Sequence, residues 1–208
     1  MIRQSTRFGS RILLLGFAVF VLLGGQNLWA DSVSGSFASP HQVWVYTINI
    51  DDPSTFSATL VNGGTPTSLD AMMFLFTSSG VGLIANDDTT ASDRRPTLPV
   101  GSAASFSPGD YWLFLSVYEN VPFDSSNNLI FPGLHNTGVF TASGSAGTLD
   151  YFGPVSAYGY GYGSYQLDLT GASDLGHHAL PETSTLSMLV TGLLGVAGAF
   201  RGRRLLAV

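Results

Sequence analysis

The 208-residue sequence has no cysteine and no lysine, and only 11% of its residues are charged, whereas about 25% is ordinary for a soluble protein. The missing thiols exclude disulfide bridges, zinc–thiolate sites, cysteine nucleophiles and lipid attachment to cysteine. All eight basic residues are arginines, and six of them lie in the terminal segments. Between residues 31 and 180, thirteen acidic residues outnumber Arg94 and Arg95. Such a segment is not expected to bind nucleic acid, whose phosphates require a basic surface.

The N-terminal segment has the order of features that is typical of a secretory signal peptide. Three arginines precede an apolar run at residues 12–24, and a short polar stretch then leads to Ala30 and Asp31. Arginines at this position stay on the cytoplasmic side while the apolar run enters the membrane. We expect residues 1–30 to be a signal peptide with a signal helix, cleaved between Ala30 and Asp31, and the chain to be exported. The alternative is an uncleaved membrane anchor.

The C-terminal segment, residues 181–208, combines a short polar motif, an apolar helix and a basic cluster. The apolar stretch at 186–200 has fifteen residues, fewer than the about 20 that a membrane-spanning helix needs. The basic cluster would hold the end of this helix in the cytoplasm and leave the motif at the outer face. The motif is Pro181, Glu182 and Thr183, and the basic cluster is Arg201, Arg203 and Arg204.

This arrangement resembles a PEP-CTERM sorting signal, although Thr183 stands where that family usually has a second proline. The resemblance implies an exopolysaccharide-making Gram-negative bacterium in which an exosortase, a membrane transpeptidase, processes the chain. The protein would be anchored transiently in the inner membrane and then reach the cell surface or extracellular matrix, with exopolysaccharide as a candidate partner. Two alternatives remain open. One is a sortase signal at residues 180–184, where Ser184 replaces the required glycine, and the other is an uncut membrane anchor.

The middle segment, residues 31–172, is predicted to be a single all-β domain, a β-sandwich or jelly roll of about eight strands flanked by the two terminal helices. Short runs rich in β-branched and aromatic residues alternate with turn residues. The run at 70–77 is almost continuously apolar, which is typical of a strand buried on both faces. Residues 173–180 are expected to be a linker. The clearest strands lie at 41–50, 56–60, 70–77, 81–85, 111–118, 139–142 and 165–169.

The order of several motifs in this segment resembles the bacterial pre-peptidase C-terminal domain. The matching pieces are residues 72–76, the Ser79-Gly80 turn, and residues 83–88, 108–116 and 165–171. The resemblance implies a β-sandwich that accompanies secreted enzymes or stands alone on surface proteins. Such domains bind matrix or assist secretion and are not themselves catalytic.

Asp87, Asp88 and Asp93 are the candidate metal ligands of the sequence. With the carbonyl of Asn86 they offer oxygen ligands of the kind that calcium prefers, although their spacing is not that of an EF-hand. We expect these carboxylates to be solvated turn residues, paired locally with the two arginines that follow. A weakly bound calcium ion is the alternative, because exported proteins often meet millimolar calcium. No other cofactor is expected.

The sequence predicts no enzyme. Glycosidase chemistry requires two carboxylates placed across a sugar, and nothing marks one of the aspartates as the partner of Glu119. The loop at 119–136 is longer than most loops, and its apolar side chains are expected to pack back as a lid over the sandwich edge. Stacking of its aromatic rings on sugars is the alternative. The notable side chains of this loop are Phe123, Leu129, Ile130, Phe131 and His135.

Two functions are therefore predicted from these observations. The first is an exported, non-catalytic cell-surface or matrix protein that is delivered by the sorting segment. The alternative is a secreted carbohydrate-binding module or polysaccharide hydrolase that uses the 119–136 loop and the acidic residues.

Overall fold

The computed structural model describes residues 30–62, 69–134, 137–154 and 163–180, and within these ranges the protein is all-β. The predicted signal peptide, sorting motif, apolar helix and basic cluster lie outside the described residues, apart from Ala30. No helix in the described ranges is long and apolar enough to span a membrane. Twelve strands occur where about eight were predicted: β1 Ala30–Ser36, β2 Val43–Ile50, β3 Ser57–Asn62, β4 Ala71–Thr77, β5 Gly82–Asn86, β6 Thr97–Leu98, β7 Gly109–Val117, β8 Asn120–Asp124, β9 Val139–Thr141, β10 Leu149–Pro154, β11 Ser164–Thr170 and β12 Ala172–Ala179.

These strands form three sheets in which neighbouring strands are antiparallel. The six-stranded sheet has the order β12-β2-β7-β4-β5-β9, the four-stranded sheet has the order β1-β11-β3-β6, and β8 pairs with β10. The predicted turn at Ser79-Gly80 joins β4 to β5. There the N–H of Thr77 donates to the carbonyl of Val81 at 2.9 Å, and Gly80 has a φ of 84°, which glycine adopts without steric strain.

The six-stranded and four-stranded sheets pack face to face over one hydrophobic core. The six-stranded sheet contributes residues such as Ile48 and Leu113, and the four-stranded sheet contributes Leu60 and Leu167, each at most 1% exposed. Because successive side chains of a strand point to opposite faces, the remaining residues of the six-stranded sheet face away from this core.

A second core covers the opposite face of the six-stranded sheet. Phe74 and Phe114 face it, and the β8–β10 pair and the segment that follows β8 close over them with Ile130 and Phe131. The residues of β4 are consequently buried on both faces, and all six from Ala71 to Phe76 are fully buried. The prediction made from the apolar run at 70–77 is confirmed.

Two segments expected to be irregular contain strands. The predicted loop at 119–136 includes β8, and the predicted linker at 173–180 forms most of β12. β12 pairs with β2 from Ala172 opposite Ile50 to Ala179 opposite Trp44. This pairing provides hydrogen-bond partners for backbone groups of β2 that would otherwise lie unpaired at the edge of the six-stranded sheet. Its side chains are mostly exposed, which is why no apolar pattern revealed the strand.

Candidate functional site

Three aspartates meet at one end of the six-stranded sheet. Asp70 precedes β4, whereas Asp87 and Asp88 follow β5. Because β4 and β5 are antiparallel, with Met73 opposite Asn86, the start of β4 lies beside the end of β5. One carboxylate oxygen from each of the three aspartates lies within 4.8 Å of those of the other two. We refer to Asp70, Asp87 and Asp88 as the acidic cluster.

The side chain of Asn86 holds the chain around the acidic cluster. Its Nδ2 donates to the carbonyl of Gly138 at 2.5 Å and to that of Asp88 at 3.2 Å, and its Oδ1 accepts from the N–H of Thr97 at 2.9 Å. The carbonyl of Asp88 also accepts from the N–H of Gly138 at 3.0 Å. The chain at Asp88, at Thr97 and at Gly138 is thereby fixed beside the end of β5.

The turn between β7 and β8 lies beside the other side of the cluster. The N–H of Tyr118 donates to the carbonyl of Asp70 at 2.8 Å. The next residue, Glu119, has a φ of 70°, a left-handed conformation that is uncommon outside glycine. This turn therefore brings a fourth acidic side chain into the neighbourhood of the cluster.

Burial deprives the acidic cluster of solvation. Asp87 is 2% exposed and Asp70 is 4% exposed, whereas Asp88 is half-buried. In all three residues Oδ1 is buried and has no hydrogen-bond partner among the described residues. A buried polar atom without a partner is unfavourable and is rare in native proteins, so these oxygens require an explanation.

The electrostatics of the cluster follow from this burial. The pKa of Asp87 is raised to about 8, mainly by burial and then by the negative charges of Asp88, Asp70 and, less strongly, Glu119, whereas the charge of Arg94 opposes the rise. Burial likewise raises the pKa of Asp70 and that of Asp88. Without a counter-charge, the site therefore favours a protonated carboxyl over three ionised ones.

Arg94 is the basic residue that contacts the cluster. Its Nη1 donates to Oδ2 of Asp70 at 2.6 Å. The hydrogen bond and the charge of Arg94 offset only part of the rise in the pKa of Asp70 that burial causes. Arg94 was expected to pair with Asp93 or Asp88; its salt bridge reaches Asp70, which is far away in sequence, and its charge also opposes the rise in the pKa of Asp88.

Asp93 is not part of the cluster, which corrects the predicted ligand set. Its two carboxylate oxygens accept from Nε and Nη2 of Arg95, each at 2.7 Å, and these hydrogen bonds lower the pKa of Asp93. The expected local ion pair is confirmed for Arg95. Both oxygens of Asp93 are engaged by Arg95, and it is Asp70, at the start of β4, that lies beside Asp87 and Asp88.

Asp70 was missed because its neighbours depend on strand pairing. The sequence does contain a usable signal, since Asp70 and Asp88 lie equally far from Ser79 in the turn that joins β4 to β5. An antiparallel hairpin brings residues at equal distances from its turn close together. Local spacing alone favoured Asp93, which is closer to Asp88 in sequence.

The apolar side chains of the 119–136 loop are largely internal. Ile130 and Phe131 are buried, and the ring of Phe131 lies 5.7 Å from that of Phe74 in β4. Phe123 is half-buried and stacks on Tyr151 with ring centroids 5.1 Å apart and an interplanar angle of 9°. The loop packs on the outer face of the six-stranded sheet rather than over a sandwich edge, and His135 lies outside the described residues.

The predicted signal cleavage site falls inside β1. Ala30 is its first residue, and Oδ2 of Asp31 accepts from the N–H of Asp174 at 3.0 Å.

No protein-family model matches the sequence, and comparison with curated proteins gives no significant match.

Proposed function

We propose that the protein is an exported, non-catalytic component of the cell surface or extracellular matrix of a Gram-negative bacterium. In this proposal an exosortase-type enzyme of the inner membrane processes the C-terminal segment and releases the β-domain. We class that domain as a β-sandwich, which is supported by the two sheets packed over a common core.

The observation that carries this proposal is the position of the sorting motif relative to the fold. The N–H of Leu180 donates to the carbonyl of Val43 at 2.8 Å, and Pro181 is the next residue. Cleavage near Pro181 to Ser184 would leave all twelve described strands intact. The motif is therefore well placed to be cut without damage to the domain.

The N-terminal end is compatible with processing as well. Cleavage between Ala30 and Asp31 would remove one residue of β1, together with its pairing to Thr170. The remaining pairings, from Asp31 opposite Leu169 onward, would persist.

Burial of the acidic cluster supports a non-catalytic role. A hydrolase must present its carboxylates to a polysaccharide, but Asp70 and Asp87 are almost inaccessible to solvent. The rings that would stack on sugar are also engaged, because Phe131 lies in the second core and Phe123 stacks on Tyr151. These contacts favour the surface-protein proposal over the hydrolase alternative.

The proposal can be tested by fractionating a host that contains an exosortase. The wild-type chain is expected in the surface or matrix fraction, and the double variant Pro181→Ala, Glu182→Ala is expected in the membrane fraction. Thr183→Pro is the matched control, because it restores the second proline of the resembled family and should be processed like the wild type.

Two results would overturn the proposal. The first is a wild-type chain that stays in the membrane fraction with its C-terminal arginines intact. The second is hydrolysis of a polysaccharide by the purified chain that is lost in Glu119→Gln, which would favour the enzyme alternative.

A further inference from the structure

We propose that Asp70, Asp87 and Asp88 bind one calcium ion at the end of the six-stranded sheet. The inference rests on the described residues alone and does not depend on the sorting segment. It replaces the solvated turn that the sequence led us to expect, and it replaces Asp93 with Asp70.

The spacing of the three carboxylates fits a single ion. Calcium binds oxygen ligands at about 2.3–2.6 Å, so two ligands on opposite sides of the ion are at most about 4.6–5.2 Å apart. One oxygen from each aspartate lies within 4.8 Å of the other two. This spacing is therefore compatible with contact of all three carboxylates with one ion.

The unpartnered oxygens are an independent indication of a ligand. Asp87 is only 2% exposed. Its Oδ1, like those of Asp70 and Asp88, nevertheless has no hydrogen-bond partner among the described residues. An exposed acidic cluster would be solvated by water, but these atoms are withdrawn from solvent. A cation supplies the interaction that each of these oxygens lacks.

The net negative charge of the site favours a divalent over a monovalent cation. Three ionised carboxylates and the guanidinium of Arg94, which contacts Asp70 at 2.6 Å, leave two negative charges. Arg95 does not alter this balance because Asp93 engages it. The nearby Glu119 adds negative charge on the same side. A divalent cation would neutralise the three aspartates and Arg94 taken together.

The ligand chemistry favours calcium over other divalent metals. The cluster offers only carboxylate oxygens, which suit hard cations, and it has no thiolate or imidazole of the kind that zinc prefers. Magnesium requires near-octahedral geometry and usually keeps several waters, whereas calcium accepts irregular sets of six to eight oxygens, including backbone carbonyls. Asp88 is the most exposed of the three proposed ligands, so solvent reaches the cluster more readily at Asp88 than at Asp70 or Asp87.

The proposed ion would add a further link between segments that strand pairing and core packing already hold together. It would join the start of β4 to the chain that follows β5, beside the β7–β8 turn. Because the unfolded chain does not bring these aspartates together, calcium would bind the folded state and stabilise it.

The experiment measures the melting temperature and the heat of binding of the full-length chain, purified in detergent after removal of bound metal. Calcium chloride is added to about 10 mM, tenfold above the weakest affinities of extracellular calcium modules. We expect a saturable rise of about 3–6 °C or more together with a measurable heat of binding. Magnesium chloride at the same concentration should give a much smaller rise, and sodium chloride at the same ionic strength should give none.

Matched variants assign the response to the cluster. Asp87→Asn and Asp88→Asn should each abolish the calcium-dependent rise, and the second variant serves if the first does not fold. Asp93→Asn should keep the rise, because Asp93 is engaged by Arg95 rather than by the cluster. The readout is the change in melting temperature on adding calcium. A variant that is less stable with and without calcium therefore does not give a false result.

Three outcomes would overturn the proposal. The first is a wild-type chain in which calcium produces neither a heat of binding nor a rise in melting temperature, which would mean that the three carboxyl groups do not bind calcium and share protons instead. Equal responses to calcium and magnesium would contradict the assignment to calcium. A calcium response that persists in both Asp87→Asn and Asp88→Asn would place the ion elsewhere.

Discussion

At the scale of single residues, two buried tyrosines depend on each other for their only described side-chain hydrogen bond. The hydroxyls of Tyr46 and Tyr165 lie 2.6 Å apart inside the core, between β2 and β11. Burial raises the pKa of Tyr46 to about 12, and it raises the pKa of Tyr165 as well. Both hydroxyls therefore stay protonated at physiological pH, and each needs the other as a partner.

Replacing one member of this pair should destabilise the protein more than replacing both. Tyr165→Phe leaves the hydroxyl of Tyr46 buried without its partner, which should lower the free energy of unfolding by about 1–3 kcal/mol. The double variant Tyr46→Phe, Tyr165→Phe removes both polar groups and should lie close to the wild type. Urea denaturation of the two single variants and the double variant measures the coupling. Additive effects would mean that the hydroxyls do not interact.

Asp124, at the end of β8, organises the turn that follows it. Its carboxylate accepts from the N–H groups of Gly147, Asn128 and Ser126, each at 2.9 Å, and from Nδ2 of Asn128 at 3.1 Å. These hydrogen bonds, with that of Gly147 the strongest influence, lower the pKa of Asp124 to about 2. The ionised form therefore stabilises the fold.

The contribution of Asp124 should depend on pH in one direction. Its pKa in the folded state is below the ordinary value of about 3.9 for the unfolded chain, so its stabilisation is present above about pH 4 and is lost as the pH falls from about 4 to 2. At neutral pH, Asp124→Asn should be less stable than the wild type, and the difference should shrink over that range. Urea denaturation at several pH values tests this, and a difference independent of pH would contradict it.

The acidic cluster illustrates how far single residues could be assigned from the sequence. Asp87 and Asp88 were correctly chosen as neighbours because they are adjacent in the chain and follow a predicted strand. The sequence did not indicate that Asp70 lies beside them or that Asp93 lies apart, since these positions depend on the pairing of β4 with β5 and on the direction of the Arg95 side chain. Neither of these is a local property of the sequence.

At the scale of secondary-structure elements, the strands with a clear apolar or alternating pattern were predictable and the others were not. All seven strands predicted from apolar patterns are confirmed as β2, β3, β4, β5, β7, β9 and β11. The five unpredicted strands lack such a pattern: β1 and β12 are rich in serine, glycine and polar residues, β6 has two residues, β8 contains Pro122, and β10 ends in Gly153 and Pro154. Their pairing partners become available only when the sheets assemble.

The covering of the outer face by the segment after β8 makes Gly82 in β5 sensitive to substitution. A Cβ at this position would collide with Ile130 and would lie 3.1 Å from Cβ of Ala142 and 3.2 Å from the ring of Phe131. We expect Gly82→Ala to lower the free energy of unfolding by about 1–3 kcal/mol, the usual effect of overpacking.

Gly144 provides the matched control for this prediction. A Cβ at Gly144 meets no atom within 4 Å, so Gly144→Ala should change the free energy of unfolding by at most about 0.5 kcal/mol. Chemical denaturation compares the two variants. Equal changes in the free energy of unfolding would show that the segment after β8 does not pack closely against Gly82 in solution.

At the scale of the whole molecule, the chain combines a β-domain with terminal segments whose proposed role is delivery. The order of basic, apolar and small residues predicts those segments directly from the sequence, because membrane insertion depends on composition and charge rather than on a particular fold. The layered arrangement of the domain, with a second core outside the six-stranded sheet, could be inferred only in part, from the continuous apolar run of β4.

The most direct test of the proposed delivery is the intact mass of the mature protein isolated from the surface of a host that contains an exosortase. We expect a chain that begins at Asp31, or within a few residues of it, and ends between Pro181 and Ser184. In a strain without the enzyme, the same measurement should find Arg203 and Arg204 retained on a membrane-bound chain. A wild-type mass that includes residues 186–208 would contradict the sorting proposal and would leave the C-terminal segment as a membrane anchor.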